Sequence, residues 1–110
     1  MRQGTSAEDD AARYLIGLGF TIVTRRFKAP HGELDLVALD GDELVFVEVK
    51  ATNLRDRSAE LAIDERKIDS LMRAAAYYVA TTEQTSRATR FDVITVSPGG
   101  ITHFRNAFSP

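Results

Sequence analysis

The sequence predicts an α/β fold, a mixed sheet with helices packed on its faces, and three observations lead there. Apolar spacing runs from helical to alternating and back, giving the element order αβββαββ. The segment Leu44–Lys50 is apolar on both faces until its end, as in a central strand covered from both sides. Asp40-Gly41-Asp42 joins it to the strand before through a tight hairpin signal.

The elements follow in order. Thr5 to Leu18 reads as a helix: Ala7, Ala11, Tyr14, Leu15 and Leu18 recur at helical spacing, acids fill the first turn, and Gly19 stands just past the end. With Thr5 as N-cap, Glu8 falls at the third helical position and completes a capping box. Phe20 to Phe27 has strand chemistry, and Ala29-Pro30-His31-Gly32 is a turn. Glu33 to Leu39 and Glu43 to Lys50 form two further strands. Ala51 to Ala59 is polar and charged, a loop. A long helix is expected over Glu60 to Ala80, with Ala62, Ile63, Ile68, Leu71, Met72, Ala75 and Val79 as its buried stripe. Arg90 to Val96 is a strand, Ser97-Pro98-Gly99-Gly100 a turn, and Ile101 to Arg105 a short final strand.

The bulk numbers bound the possibilities. A chain of 110 residues makes one domain, spanning 1–110, with room for a single core. No apolar run approaches a membrane span and no signal-peptide pattern opens the sequence, so a cytoplasmic, membrane-free protein is expected. The absence of cysteine excludes disulfides and thiolate metal sites. A net charge of −2 counts against a bulk electrostatic DNA binder. It leaves open a local basic face, because fourteen Lys and Arg can cluster.

Chemistry concentrates at one strand end. Along Leu44–Lys50 one face carries Leu44, Phe46, Glu48 and Lys50, so Glu48 and Lys50 lie ~6.7 Å apart along the strand. If Gly41-Asp42 is a type II′ turn, Asp35 stands directly opposite Glu48. If Asp40-Gly41 is a type I′ turn, Asp35 becomes a diagonal neighbour. Both registers keep Asp35 on the face of Glu48 and Lys50, whereas a one-residue bulge would flip it. Two carboxylates this close repel unless a cation lies between them, and Mg²⁺ or Mn²⁺ with oxygen ligands fits. The Val49 carbonyl is a candidate further ligand. Lys50 is placed to orient a water and stabilise charge on a scissile phosphate. The competing reading is a buried carboxylate–lysine ion network.

The pattern Asp35 … Glu48-Val49-Lys50 resembles the PD-(D/E)xK nuclease superfamily, whose restriction-endonuclease-like fold has an αβββαβ core. Its neighbourhood narrows the resemblance. The elements Gly4-x-x-Ala7-Glu8-x-x-Ala11-x-x-Tyr14-Leu15, Gly32-Glu33-Leu34-Asp35-Leu36-Val37, Leu44–Lys50, Arg90-Phe91-Asp92-Val93 and Asn106-Ala107-Phe108 look like the bacterial YraN-like family. That family is described as predicted endonucleases related to Holliday-junction resolvases. The resemblance implies a Mg²⁺- or Mn²⁺-dependent nuclease acting on DNA, including branched DNA, with a homodimer as a natural assembly. It adds Glu8 to Asp35, Glu48 and Lys50 as a catalytic carboxylate. It also places Glu33 beside the site, as a supporting acid or a partner for Arg25 or Arg26.

The chain departs from the family where Thr52 replaces a basic residue, and where Ile68, Asp69 and Ser70 follow Lys67. These changes thin the positive charge near the site. Arg25, Arg26 and Lys28 before it, and Arg55, Arg57, Arg66 and Lys67 after it, are the candidates for holding phosphates. His31 and His103 have no spacing that makes either a base or a ligand. No phosphate-binding glycine loop, Ser-His-Asp order or zinc spacing is present. The alternative to an enzyme is a non-catalytic nucleic-acid-binding or protein-interaction domain that keeps the nuclease fold.

Overall fold

The computed structural model describes residues 6–53 and 63–109 of the chain. Helix α1 (Ala7–Gly17) leads into strands β1 (Thr21–Ala29), β2 (Gly32–Asp40) and β3 (Glu43–Ala51). Helix α2 (Glu65–Thr81) crosses over to β4 (Thr89–Ser97), and β5 (Gly100–Phe108) returns beside it. The sheet has the order β1-β2-β3-β4-β5, with β3 in the middle. Only β3 and β4 run parallel, as a helical crossover between them requires. The other pairs are antiparallel.

Two cores, one on each face, explain why β3 is apolar on both sides. Ala11, Ala12 and Leu15 of α1 pack with Leu36, Ala38, Val45, Val47 and Ile94. Leu71, Ala74, Ala75 and Tyr78 of α2 pack with Leu34, Val37, Leu44 and Phe46.

The hairpin resolves to the first of the two registers. Asp40 pairs with Glu43 and Leu36 with Val47. Gly41 has φ +61 while Asp42 stays out of the positive region, as a type II′ turn requires. At the end of α1, the Gly19 N–H donates to the Ile16 carbonyl and the Phe20 N–H to the Leu15 carbonyl, each at 3.0 Å. With Gly19 at φ +98 this is a Schellman closure.

Several expectations need correction. The cap of α1 is Ser6, whose hydroxyl accepts the Asp9 N–H while Asp9 accepts the Ser6 N–H. Asp9 therefore completes the capping box, and Glu8 is released from it; Thr5 lies outside the described residues. Leu18 is exposed beyond the helix, not part of its buried stripe. Helix α2 begins at Glu65, because Asp64 is its N-cap and accepts the Lys67 N–H at 2.9 Å. Ile63 precedes the helix, and Glu60 to Ala62 lie outside the described residues. Strand β5 extends to Phe108, past the expected Arg105. Asn106 adopts φ +49 and gives its N–H to Asp92, which carries the strand on until Phe108 stacks on Phe91.

Candidate functional site

The strand pairing that brings Asp35 to Glu48 changes character at the site itself. Leu36 and Ala38 face the α1 core, yet Leu34 joins Val37 in the α2 core. Strict alternation would put Leu34 with Leu36. The slip falls at Asp35, and opposite it Arg26 sits at φ +54, between the pairs Arg25↔Leu36 and Phe27↔Leu34. A left-handed non-glycine residue inside a strand is a local strain.

Beyond Leu36↔Val47 the β2–β3 backbone pairing stops. The Val49 N–H then donates to Asp35 Oδ2 at 2.8 Å instead of to a main-chain carbonyl. A side chain thus takes over the job of the ladder, and the two strands part into a crevice at the end of the sheet. The β1–β2 register runs unbroken past Asp35, so no bulge is present there. The Asp35 carboxylate is tied to β3 through the Val49 N–H, next to Glu48.

Glu48 is only 8% exposed and feels the charge of the neighbouring Asp35. Burial, then the Asp35 charge and the hydrogen bond to it, push the Glu48 carboxyl up to about 7, against the opposing pull of Lys67. The Lys67 ammonium sits 3.1 Å from Glu48 Oε2. Burial would lower the Lys67 pKa, but the Glu48 hydrogen bond and the charges of Glu48, Asp35 and Glu33 raise it. Lys50 shares with Glu48, Ile63, Asp64 and Lys67 a crevice of about 280 Å³.

Helix α2 is held over this crevice by a close approach. A Cβ on Gly32 would lie 2.6 Å from the Ser70 hydroxyl and 2.7 Å from the Ser70 carbonyl oxygen. The Ser70 hydroxyl donates to the His31 carbonyl at 3.3 Å. Gly32 therefore lets the first turns of α2 settle onto the β1–β2 turn, which positions Lys67.

The remaining candidates form the rim. Arg26 Nε donates to Glu8 Oε1 at 2.9 Å, Arg25 pairs with Asp9, and Lys28 lies 4.0 Å from Glu33. Glu33 thus pairs with Lys28, not with Arg25 or Arg26. Arg55 and Arg57 lie outside the described residues.

A divalent cation can be tested against these donors. Among the described residues no group of three or more His, Cys, Asp or Glu side chains converges on one point. Two adjacent carboxylates remain, Asp35 and Glu48, with the Val49 carbonyl on the same strand end. Mg²⁺ commonly binds through one or two carboxylates and keeps several waters. The donor set fits that ion, and the mutual repulsion of the two carboxylates supplies a reason to bind one.

A second charged cluster went unread in the sequence. Asp92, without solvent exposure, accepts from Arg90 at 2.9 and 3.1 Å and from the Asn106 N–H at 3.0 Å, and pairs with His103 Nε2 at 2.8 Å. His103 Nδ1 meets the Tyr14 hydroxyl at 3.2 Å, and Arg90 continues to Asp40 and Glu43. The only local signal was Arg90-x-Asp92, two opposite charges on one strand face. His103 comes from β5 and Tyr14 from α1, so no spacing announces them.

A five-stranded mixed sheet in the order αβββαββ, with a Glu-x-Lys at the end of its middle strand and an Asp on the strand beside it, is a restriction-endonuclease-like α/β domain. Comparison with known proteins then gives the family. Residues 7–96 match the uncharacterised protein family UPF0102, the YraN family, and the chain belongs to it. A UPF0102 protein of Frankia casuarinae is 41% identical over 96% of this chain and 94% of its own length. One from Sulfurihydrogenibium sp. is 32% identical over 98% of this chain and 95% of its own. A third, from Rhodopseudomonas palustris, is 44% identical over 88% of this chain and 72% of its own. No helix among the described residues is long and apolar enough to cross a membrane.

Proposed function

We propose that this domain is a Mg²⁺- or Mn²⁺-dependent nuclease that hydrolyses DNA phosphodiester bonds, branched DNA included. The observation that carries the reading is the placement of two neighbouring carboxylates at one strand end: Asp35 is tied to β3 by the Val49 N–H at 2.8 Å, and the buried Glu48 beside it opens on a lysine-lined crevice. Asp35 and Glu48 hold the ion, with the Val49 carbonyl as a further ligand. When bound, it supplies an activated water and positive charge at the scissile phosphate. Lys50, on the crevice wall, orients the attacking water and stabilises the charge that builds on phosphate oxygens. Glu8 assists from α1, and Arg26, paired with it, is held in reserve for the nucleic-acid backbone. Arg25, Lys28 and Lys67 lie along the same rim.

The test incubates junction, flap, duplex and single-stranded DNA with Mg²⁺ or Mn²⁺, beside EDTA and Lys50→Ala controls. Cleavage is expected with metal and is lost in EDTA and in Lys50→Ala. Cleavage that persists in Lys50→Ala defeats the mechanism.

One observation favours a second reading, a nucleic-acid-binding or protein-interaction domain that keeps the fold without catalysis. Arg25, Arg26 and Lys28 already face carboxylates, which leaves less free positive charge for a substrate. That reading expects no cleavage of any substrate and no Mn²⁺ binding.

A further inference from the structure

We propose that Lys67 is the resident counter-cation of the Asp35–Glu48 pair, and that a divalent ion binds there by displacing it. This rests on the reading of Asp35 and Glu48 as metal ligands.

The geometry makes the two cations exclusive. The Lys67 ammonium is 3.1 Å from Glu48 Oε2. An ion bound to that same oxygen, with a metal–oxygen distance of about 2.1 Å, would lie within about 5 Å of that ammonium. A divalent ion and an ammonium at that separation repel each other twice as strongly as two unit charges would. The carboxylates cannot serve both without that cost.

Displacement is nevertheless easy for this side chain. The Lys67 backbone is fixed, because its N–H caps onto Asp64 and α2 is seated on the turn at Gly32. The side chain is 46% exposed, whereas the Glu48 carboxylate is buried, so the lysine leaves toward solvent without breaking packing. Its flexible four-carbon stem carries a strongly hydrated charge. The departing ammonium remains on the rim of the crevice that Lys50 also lines. Arrival of the ion thus converts an internal ion pair into a free positive charge beside the reacting centre. An isolated reading of Lys67 as a standing phosphate contact overlooks that its charge is already committed to Glu48.

The full chain is titrated with Mn²⁺ by calorimetry, as wild type, Lys67→Met and Lys67→Arg. Lys67→Met is expected to bind about tenfold more tightly than wild type, the low end of what a unit charge at this range is worth once half-exposed. Lys67→Arg, which keeps the competing charge, is expected to bind like wild type. In parallel, the side-chain ammonium resonance of Lys67 is followed by NMR while Mg²⁺ is added. It is expected to lose its exchange protection as the site saturates. Mn²⁺ affinity in Lys67→Met equal to or weaker than wild type overturns the exchange and leaves the metal reading standing. Absence of Mn²⁺ binding in all three proteins overturns both.

Discussion

Asp92 shows what a single buried charge does here. Burial would raise its pKa, but the hydrogen bonds from His103, Arg90 and the Asn106 N–H outweigh that and lower the carboxyl to about 2. The folded value lies below the unfolded one of 3.8, so the stabilisation is complete above about pH 4 and is lost as pH falls through about 2. The magnitude is about 2–3 kcal/mol. Urea unfolding across a pH series should show this loss in wild type, and Asp92→Asn should lose markedly less in that window, with Asp9 still titrating there. At neutral pH the same substitution should cost about 2 kcal/mol, since Arg90 keeps Asp40 and Glu43 but loses its buried partner, and His103 and the Asn106 N–H lose a charged acceptor. Metal affinity should not change, because Asp92 belongs to a different set of contacts from Asp35 and Glu48.

Gly32 tests how elements are fitted together. Gly32→Ala should cost about 1–3 kcal/mol through overpacking against Ser70. Its midpoint in urea measures that cost. Adding Ser70→Ala should restore little, because the Ser70 carbonyl oxygen stays 2.7 Å from the new Cβ position. The hairpin and the C-terminal closure of α1 were legible because Gly41 and Gly19 mark backbone conformations that few other residues adopt. The Asp35–Glu48 pairing was legible for the same reason, since one turn sets the register of two strands. The N-cap of α1 was misread because Thr5 and Ser6 are both good caps and adjacent, and local sequence does not choose between them. Asp64 could have ended the expected extension of α2, but the apolar Ala62 and Ile63 continue the helical period and mask it. The face change at Asp35 and the extension of β5 depend on Arg26 and Asn106 entering left-handed backbone, which their side chains do not demand. The Asp92 cluster escaped because, Arg90 apart, its members come from other elements: α1, β2, β3 and β5.

At the scale of the whole molecule, a net charge of −2 coexists with a rim of cations because the cations are matched by carboxylates from α1 and β2. Freeing them should raise nucleic-acid affinity. In Glu8→Gln combined with Glu33→Gln, Arg26 and Lys28 lose their acidic partners, and binding to duplex DNA should tighten at low salt. The slope of log K against log salt should steepen by about 1.8, two additional phosphate contacts. An unchanged slope would show that these residues do not touch the DNA backbone. The sheet order β1-β2-β3-β4-β5 has a further consequence, in time rather than space. The β1–β2–β3 meander closes through short turns, while β4 reaches β3 only after α2 has been traversed. Local pairings form fastest, so the meander is expected to nucleate folding and the parallel junction to follow. Asp35 and Glu48 are then brought together before α2 delivers its lysine. During that interval the two carboxylates face each other without their counter-charge, and millimolar Mg²⁺ should speed refolding of wild type but not of Glu48→Gln.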